Sequence, residues 1–390
     1  TMATTKYTNL RVAFLFPSLA RGTYMQPILA RFVKKFPNTV VFTGLWEGFL
    51  SHYQNAFTVK VVGKINFCKL PFRQYGHYPI GFIRVPILKL MRELWHFKPH
   101  VLFVSGFSLW TLVALIYKKK YGGKVIIKYD GSSPSVDRRN SKIFTLWRKY
   151  ISRKVDVFIT NTKAGKEYLV THLKIDQNKV LVHPYQVPDV SIWKSQISKR
   201  REDQDRVISF VTVGRLIKQK GIRELINATK ILVTHFQEEK WYLNIVGDGP
   251  LRCEIERMIR DYNLENWVKL IGHVNYELLG EVLNMQDVFI FPTLEDVWGV
   301  APLEAMALGK PVLCSKYAGA HELITEGKDG WIFDPHNPKE LAELMRKFIN
   351  NPELIYIMGA NAKRKMSKYT PETAANFLEQ VINQVMERKG

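Results

Sequence analysis

The chain has 390 residues, of which 46% are hydrophobic, and its 57 Lys and Arg against 35 Asp and Glu give a net charge of +22. This apolar content excludes a natively disordered chain, and the length favours two domains over one. The three cysteines are too few and too far apart in sequence to indicate a disulfide framework or a zinc cluster, so we expect a reducing compartment.

Short apolar runs alternate with helical patterns along the whole chain. In the first half, six runs are predicted strands: Arg11–Phe16, Thr39–Phe42, Val101–Ser105, Lys124–Lys128, Val155–Thr160 and Val180–His183. In the second half, five more follow: Ile208–Val213, Tyr242–Val246, Val268–Ile271, Val288–Phe291 and Pro311–Ser315. Apolar strands that alternate with helices are typical of parallel sheets covered on both faces. The pattern predicts an α/β fold of two Rossmann-like, doubly wound domains that face a central cleft.

The domain boundary is predicted at a polar, charge-dense linker, residues 191–206. Residues 1–190 then form the first domain and residues 207–370 the second. A last helix, residues 371–390, is expected to cross back to the first domain. Ligands of open α/β sheets bind beyond the carboxyl ends of the strands, so we expect the functional site there.

The basic excess lies entirely in the first half. Residues 1–200 hold 33 Lys and Arg against 8 Asp and Glu, a balance of +25, and the rest holds 24 against 27, a balance of −3. This asymmetry predicts an anionic partner, either lipid headgroups or nucleic acid.

Two helical patterns, Ile83–Phe97 and Lys142–Lys154, have basic faces edged with Trp or Tyr, which favours an interfacial helix. For each pattern alone, packing of an apolar face on the domain core is the favoured explanation. The +25 balance of the whole half favours an anionic membrane surface, and no RNA or DNA module is recognisable.

The longest uncharged run, Val101–Tyr117, is shorter than the roughly 20 residues of a spanning helix and predicts a buried strand followed by a helix. The polar start of the sequence and the short apolar run after it do not have the pattern of a signal peptide. We therefore expect a cytoplasmic protein that associates peripherally with the inner face of the membrane.

A loop with two cations follows the predicted strand Ile208–Val213. Gly214 and Gly221 frame this loop, which carries Arg215 and Lys220. Guanidinium and ammonium groups beside a helix N-terminus favour a diphosphate, although a solvated basic loop explains the segment equally well on its own. The spacing of a P-loop is absent.

Two further turns follow neighbouring strands. Gly247-Asp248-Gly249-Pro250 lets a backbone approach a ligand, but in isolation it is ordinary turn chemistry. The loop after Val288–Phe291 carries Asp296, and an apolar helix that begins near Ala301 carries Glu304. These two carboxylates could accept hydrogen bonds from sugar or ribose hydroxyls, and the first amides of the helix could donate to an anion. A capping acid and a surface Glu are the alternative, but so apolar a helix gives little reason for a lone Glu.

Taken in order, these segments resemble the retaining glycosyltransferases of the GT-B fold, family 4, also called the group 1 glycosyltransferases. The matching segments are Gly214-Arg215-Leu216 with Lys220-Gly221, Val246 to Pro250, Asp296 with Glu304-Ala305-Met306-Ala307, Gly309-Lys310-Pro311-Val312, and Gly319 to Glu322. The resemblance is close over residues 205–370 and loose over residues 8–190. It implies a metal-independent hexosyltransferase without a cofactor, whose donor is a nucleotide-diphosphate sugar, UDP rather than GDP. The implied acceptor is a hydroxyl of a lipid-linked glycan, a glycolipid or a surface polysaccharide.

The resemblance also implies roles for individual residues. Arg215 and Lys220 would bind the donor diphosphate, Asp296 the hydroxyls of the donor sugar, and Glu304 the ribose hydroxyls. The remaining donor contacts would come from main-chain groups around the nucleotide and sugar: Gly214, Gly247, His273, Val274, Trp298, Gly299, Val300 and Ala301.

The first half departs from the family pattern at two loops. Gly22 alone stands where paired glycines are common, with Arg21 as an additional phosphate ligand. Tyr129-Asp130-Gly131 stands where many members have a His-Asp pair, so the resemblance implies no histidine role there. Asp130 is predicted to contact the acceptor, although a plain turn explains Asp130-Gly131 equally well.

The implied chemistry needs cations rather than a nucleophilic side chain. Glycosyl transfer develops an oxocarbenium-like centre while negative charge grows on the leaving diphosphate, which Arg215 and Lys220 would stabilise. The resemblance implies retention by front-face attack of the acceptor hydroxyl. Three alternatives stay open: a soluble transferase for a small-molecule or free-sugar acceptor, a GT-B epimerase, and a basic nucleic-acid-binding protein with a degenerate transferase domain. The sequence identifies neither the sugar, the acceptor, the linkage nor the oligomeric state.

Overall fold

The computed structural model describes residues 7–19, 24–62, 67–75, 78–83, 86–196 and 207–388. The chain divides into two compact units, residues 1–187 with 369–390, and residues 188–368. Arg21, Gly22 and the part of the predicted linker from 197 to 206 lie outside the described residues.

The first unit contains a seven-stranded parallel sheet. In sheet order its strands are β3 (Thr58–Val61), β2 (Thr39–Thr43), β1 (Val12–Phe16), β6 (Val101–Ser105), β7 (Lys124–Lys128), β8 (Val157–Thr160) and β9 (Val180–Val182). Two further strands, β4 (Phe67–Tyr75) and β5 (Tyr78–Ile83), form an antiparallel hairpin. The central strands are buried on both faces, which explains why they read as continuous apolar runs.

The described helices of this unit are α1 (Met25–Lys35), α2 (Ile87–Phe97), α3 (Leu109–Tyr121), α4 (Pro134–Asp137), α5 (Lys142–Ser152), α6 (Lys163–Glu167) and α13 (Pro371–Glu387). One face of the sheet packs against α2, α3 and α5 through side chains such as Leu94, Trp110 and Ile151. The other face packs against α1 and α13 through Phe32 and Leu378. The C-terminal helix is therefore part of the core of the first unit.

The second unit contains a six-stranded parallel sheet in the order β12 (Val268–Gly272), β11 (Trp241–Val246), β10 (Ile208–Val213), β13 (Val288–Phe291), β14 (Val312–Ser315) and β15 (Gly330–Phe333). Its helices are α7 (Ile222–Thr234), α8 (Arg252–Asp261), α9 (Tyr276–Asn284), α10 (Val300–Ala307), α11 (Pro338–Asn350) and α12 (Glu353–Met366). One continuous apolar core joins this sheet to α7, α8 and α11.

The predicted fold class is confirmed, and the eleven predicted strands are all present within two residues of their expected ends. The structure corrects one helix boundary, because Ile83 ends β5 and α2 begins only at Ile87. Pro86 lies at the N-cap of α2, and a proline further inside would break the helix. Among the described helices, none has the length and apolar character that crossing a membrane requires.

Candidate active site

The strand order of the second sheet reverses between β10 and β13, which are neighbours. At such a switch point the loops that follow the two strands diverge and leave a crevice at the carboxyl edge. The loop after β10 carries Arg215 and Lys220, and the loop after β13 carries Asp296. The fold thus places the predicted donor-binding groups at the position where open α/β sheets bind ligands.

A cavity of about 480 Å³ opens at this edge. Five residues that the sequence predicted for the donor site line it together: Gly214, Arg215, Gly247, His273 and Val274. Its other walls come from the ends of β10 and β11 and from the start of α9, where Tyr276 and Leu279 face the cavity. Segments between residues 213 and 279 of the sequence therefore form one concave surface.

Two glycines let the loops approach one another at the backbone. Gly221 has φ of +66°, and a Cβ there would lie 1.9 Å from the Pro292 carbonyl oxygen. Gly247 has φ of +138°, and a Cβ there would lie 1.9 Å from the Gly214 carbonyl oxygen. No side chain fits at either place, so these glycines fix the distance between the loops. A Cβ on Gly214 would make only ordinary van der Waals contacts with the Lys220 side chain. The space beside Gly214 is therefore open, and this glycine lines the cavity.

Lys220 and Asp296 form an ion pair across the crevice. The Nζ of Lys220 donates to Oδ2 of Asp296 over 2.7 Å, and both side chains are largely buried. The same ammonium lies 5.3 Å from the centre of the Phe291 ring. The other carboxylate oxygen, Oδ1, accepts from the amide of Trp298 over 3.2 Å. The Trp298 amide, which was predicted to cover the donor, thus donates its hydrogen bond to Asp296.

The helix α10 begins directly after this loop. Its N-cap is Gly299, with φ of +93°, and no side chain caps it. Val300 and Ala301, in the first turn, have amides without an intrahelical acceptor, as in every helix start. The predicted main-chain contacts of Gly299, Val300 and Ala301 therefore stand at an uncapped helix N-terminus beside the Lys220–Asp296 pair.

Glu304 lies inside α10 and is buried, only 5% exposed. The hydroxyl of Tyr276 donates to its Oε1 over 2.9 Å. Burial raises the pKa of Glu304 to about 7, and the hydrogen bond from Tyr276 opposes this rise. Because Tyr276 also lines the cavity, it connects this acid to the site. Glu304 is neither a capping residue nor a surface acid, and no pattern in the sequence indicated its partner Tyr276.

Gln219 is a second residue that the sequence did not identify. Its buried side chain donates from Nε2 to the Glu295 carbonyl over 2.8 Å. The main-chain carbonyl of Gln219 accepts hydrogen bonds from the hydroxyl of Thr293 and from the amide of Leu294. These bonds tie the loop that carries Lys220 to the loop that carries Asp296, so the ion pair rests on a rigid support.

Asp130 is the one described candidate that belongs to the first unit. It follows β7 and is half-buried, and its Oδ1 accepts from the hydroxyl of Tyr185 over 2.6 Å. Arg21 and Gly22, the other candidates of this unit, lie outside the described residues.

Within the described ranges, no group of three or more His, Cys, Asp or Glu side chains is placed to hold a metal ion. The expectation of metal-independent catalysis stays a prediction.

Comparison with known proteins identifies the family. A family model described as glycosyl transferases group 1 matches residues 193–365, and a model described as glycosyltransferase family 4 matches residues 22–187. An uncharacterized glycosyltransferase of Methanocaldococcus jannaschii is 30% identical over 60% of this chain and 61% of its own length. The capsular polysaccharide biosynthesis glycosyltransferase CapM of Staphylococcus aureus is 28% identical over 62% of this chain and 66% of its own length.

The chain thus spans somewhat less than two thirds of either relative. Among solved structures, Anabaena HepE in complex with UDP superposes with a TM-score of 0.74 at 16% identity, over 96% of this chain and 100% of HepE. Together with the two parallel sheets and the loops at the second switch point, these matches show that the chain belongs to the group 1 glycosyltransferases and has the GT-B fold.

Proposed function

We propose that the chain is a retaining glycosyltransferase that moves a sugar from a UDP-sugar to a hydroxyl of a lipid-linked glycan, a glycolipid or a surface polysaccharide at the membrane surface. The observation that carries this proposal is the arrangement at the switch point of the second sheet: Arg215 lines the cavity, Glu304 is bonded to Tyr276 of the same cavity, and Lys220 pairs with Asp296 between the two switch-point loops. UDP is favoured because HepE binds it on the same fold. A polysaccharide acceptor is favoured because CapM acts in capsular polysaccharide biosynthesis.

The ion pair suggests how the donor enters. Lys220 is bonded to Asp296, and a diphosphate would compete for the ammonium with two charged phosphates. Once Lys220 turns to the diphosphate, Asp296 is free to accept hydrogen bonds from the hydroxyls of the donor sugar. Arg215, which is exposed at the cavity wall, adds a second cation to the same phosphates.

The reaction follows from these positions. The bond between the anomeric carbon and the diphosphate breaks, and the negative charge that grows on the departing oxygen is stabilised by Lys220, Arg215 and the N-terminus of α10. The acceptor hydroxyl attacks the same face of the sugar, and its proton passes to the departing diphosphate. The configuration at the anomeric carbon is retained, and no side chain is consumed.

The membrane surface is supported by apolar side chains that the first unit exposes. On α5, Ile143 and Leu146 are 80% and 69% exposed, and Tyr150 lies one turn further on the same strip of the helix. On α2, Leu88 is 87% exposed, with Trp95 two turns on. Large exposed apolar side chains beside many Lys and Arg are typical of surfaces that lie on anionic lipid.

The donor site is tested by a panel of nucleotide sugars in a thermal-shift assay, followed by turnover measurements on variants. We expect UDP-sugars to raise Tm, and Lys220→Ala and Glu304→Ala each to lose turnover by about two orders of magnitude or more while remaining folded. Lys218→Ala is the matched control, because this lysine is exposed in the same loop. Wild-type turnover in either variant, or a Tm that no nucleotide sugar raises, would contradict the proposal.

A further inference from the structure

Lys128 is a buried lysine that the donor site does not use. It ends β7 and is only 3% exposed. Its Nζ lies 4.4 Å from the centre of the Phe16 ring, 5.2 Å from that of Tyr185 and 3.8 Å from the sulfur of Met25. In the described part of the chain, this ammonium has no oxygen acceptor within hydrogen-bond distance.

Such a position is costly for a lysine. A buried ammonium without an oxygen acceptor loses most of its hydration, and aromatic faces and a thioether replace only part of it. Burial lowers the pKa of Lys128, and the charge of Asp130 opposes that effect. If this position served packing alone, a methionine would fill it without the cost of the charge, so a role for the cation is indicated.

The geometry directs that cation toward Asp130. Residues two apart in a strand point to the same face, and Ile126 on this strand faces the core beneath α1 and α13. Lys128 and Asp130 continue the same row, whereas Tyr129 between them packs on the opposite face. The carboxylate therefore stands at the rim of the sheet, directly beyond the buried ammonium.

Buried donors hold Asp130 from two further directions. Tyr185, which is fully buried, donates its hydroxyl to Oδ1 over 2.6 Å. Asn161, 3% exposed, donates from Nδ2 to the Asp130 carbonyl over 2.9 Å, and its Oδ1 accepts from the amide of Tyr185 over 2.9 Å. Oδ2 of Asp130 has no bonding partner among the described residues. The half-buried carboxylate is thus fixed on its inner side and open on its outer side.

We propose, building on the function proposed above, that Oδ2 of Asp130 accepts a hydrogen bond from a hydroxyl of the glycan acceptor, and that Lys128 and Tyr185 are positioning residues that hold this carboxylate in place. A carboxylate with one fixed and one open oxygen matches a sugar hydroxyl, which donates a single directional bond. The buried supports remove the entropy cost of orienting the carboxylate when the acceptor arrives.

The test measures donor and acceptor steps separately. Variants Lys128→Met, Tyr185→Phe and Asp130→Asn are compared with wild type for transfer from the UDP-sugar found by thermal shift to octyl glucoside, octyl galactoside, octyl mannoside and octyl N-acetylglucosaminide. In parallel, UDP release without acceptor and the Tm shift caused by UDP are recorded. Lys124→Met is the matched control, because this lysine lies at the opposite end of the same strand.

We expect Tyr185→Phe and Asp130→Asn to lose about 10- to 100-fold in kcat/KM for the octyl glycoside, the effect of one hydrogen bond to a charged group. Lys128→Met removes a nearby charge and no hydrogen bond, and we expect it to lose about 10-fold. UDP release without acceptor, the KM for the UDP-sugar and the UDP-induced Tm shift should stay at wild-type values, and Lys124→Met should change none of them. Wild-type transfer by Lys128→Met or Tyr185→Phe would overturn the inference. So would a proportional loss of UDP release in these variants, or a wild-type enzyme that releases UDP yet glycosylates none of the four glycosides. None of these three results tests the donor-site proposal. That proposal would fail separately, if UDP did not raise the Tm of the wild type.

Discussion

Glu304 combines two properties that oppose each other. A carboxylate binds ribose hydroxyls best when it is ionised, but the interior of α10 raises the pKa of Glu304 to about 7. The single described hydrogen bond to this acid comes from Tyr276, and one donor does not offset the loss of water. Burial in α10 therefore keeps this acid partly protonated near neutral pH, and hydroxyl donors from a ligand would favour its ionised form.

Replacing this acid should stabilise the unliganded protein at alkaline pH. The folded pKa is about 7 against 4.5 for a free glutamate, so between these values the folded state binds a proton that the unfolded state has lost. Stability from this group is greatest below pH 4.5, declines as pH rises to about 7 and is then constant. Glu304→Gln removes this decline, and we expect the variant to exceed wild type by up to about 3 kcal/mol at pH 8.

Urea denaturation at pH 5 and pH 8 measures the difference, with Glu265→Gln as control because that acid is exposed. The gain of Glu304→Gln should be largest at pH 8 and small at pH 5. Equal unfolding free energies of wild type and Glu304→Gln at pH 8, or a gain that grows toward pH 5, would show that Glu304 is not destabilised by burial.

Some residues of the site could be predicted from sequence and others could not. Lys220 and Glu304 are recognisable because a strand, a loop and a helix start place them, and all of these are local patterns. Tyr276 meets Glu304 across 28 residues of sequence, and Tyr185 meets Asp130 across 55. Such pairs depend on how helices and strands pack together, which no spacing in a single sequence encodes.

At the scale of elements, the loop between β10 and α7 depends on one glycine. Gly221 combines a positive φ with a Cβ position that would clash with the Pro292 carbonyl. We expect Gly221→Ala to lose more than about 2 kcal/mol of unfolding free energy and to displace Lys220, the preceding residue. Gly327→Ala is the matched control, because φ there is +72° but nothing lies near the added Cβ. That control should cost only about 1 kcal/mol; equal costs for both variants would mean that the approach of the two loops contributes nothing.

The exposed strip of α5 can be tested as a membrane contact. In a helical projection, Ile143, Leu146 and Tyr150 form one strip, and the basic residues Lys142, Lys149 and Arg153 form the adjacent one. We expect the wild type to float with liposomes that contain anionic lipid and to stay in the soluble fraction with neutral liposomes or at 1 M salt. The double variant Ile143→Gln, Leu146→Gln should lose most of this flotation while its turnover with a soluble acceptor is kept.

The matched control for this helix lies in the second unit. Leu278 on α9 and Met285 directly after this helix are similarly apolar and more than half exposed, and the double change of both to Gln should leave flotation unchanged. A wild-type protein that never floats with anionic liposomes at low salt would contradict the membrane surface. Equal losses in the two double variants would point to general apolar adhesion instead of the α5 strip.

Two of the four strands that the sequence prediction omitted, β3 and β15, are edge strands of the parallel sheets, and the other two, β4 and β5, form the hairpin. The eleven predicted strands include all the interior ones, whose two covered faces make continuous apolar runs. β3 and β15 each lie at a sheet edge, and their exposure is mixed: in β3, Thr58, Lys60 and Val61 face solvent. A strand with one side open needs no continuous apolar run, so edge strands are harder to recognise, although β9 and β12 at the opposite edges were predicted.

At the scale of the whole molecule, the two units differ in how the chain builds them. The second unit is continuous, from 188 to 368, and the described residues of its core and cavity all lie in that range. The first unit is interrupted, because it needs α13 from the end of the chain. Six buried apolar side chains of α13 complete one face of its sheet: Ala374, Ala375, Leu378, Val381, Ile382 and Val385.

This difference predicts how fragments behave. Residues 188–368 expressed alone should unfold cooperatively, and UDP should raise their Tm, because every described residue that lines the donor cavity belongs to this range. Residues 1–187 alone should not fold. Uncovering Leu378, Val381, Ile382 and Val385 forfeits on the order of 8 kcal/mol of apolar burial, which is comparable with the total stability of a domain.

Supplying α13 separates a missing helix from a general failure of the fragment. Residues 1–187 joined by a flexible linker to residues 369–390 should recover a cooperative melt, because the linked helix again covers the face that packs on α1. The same fusion with Leu378 and Ile382 both changed to Asp should remain unfolded, since two charges would be buried in that face. A folded 1–187 fragment would mean that α13 is dispensable for the first unit, and a 188–368 fragment that folds but ignores UDP would mean that the donor site needs more than the second unit.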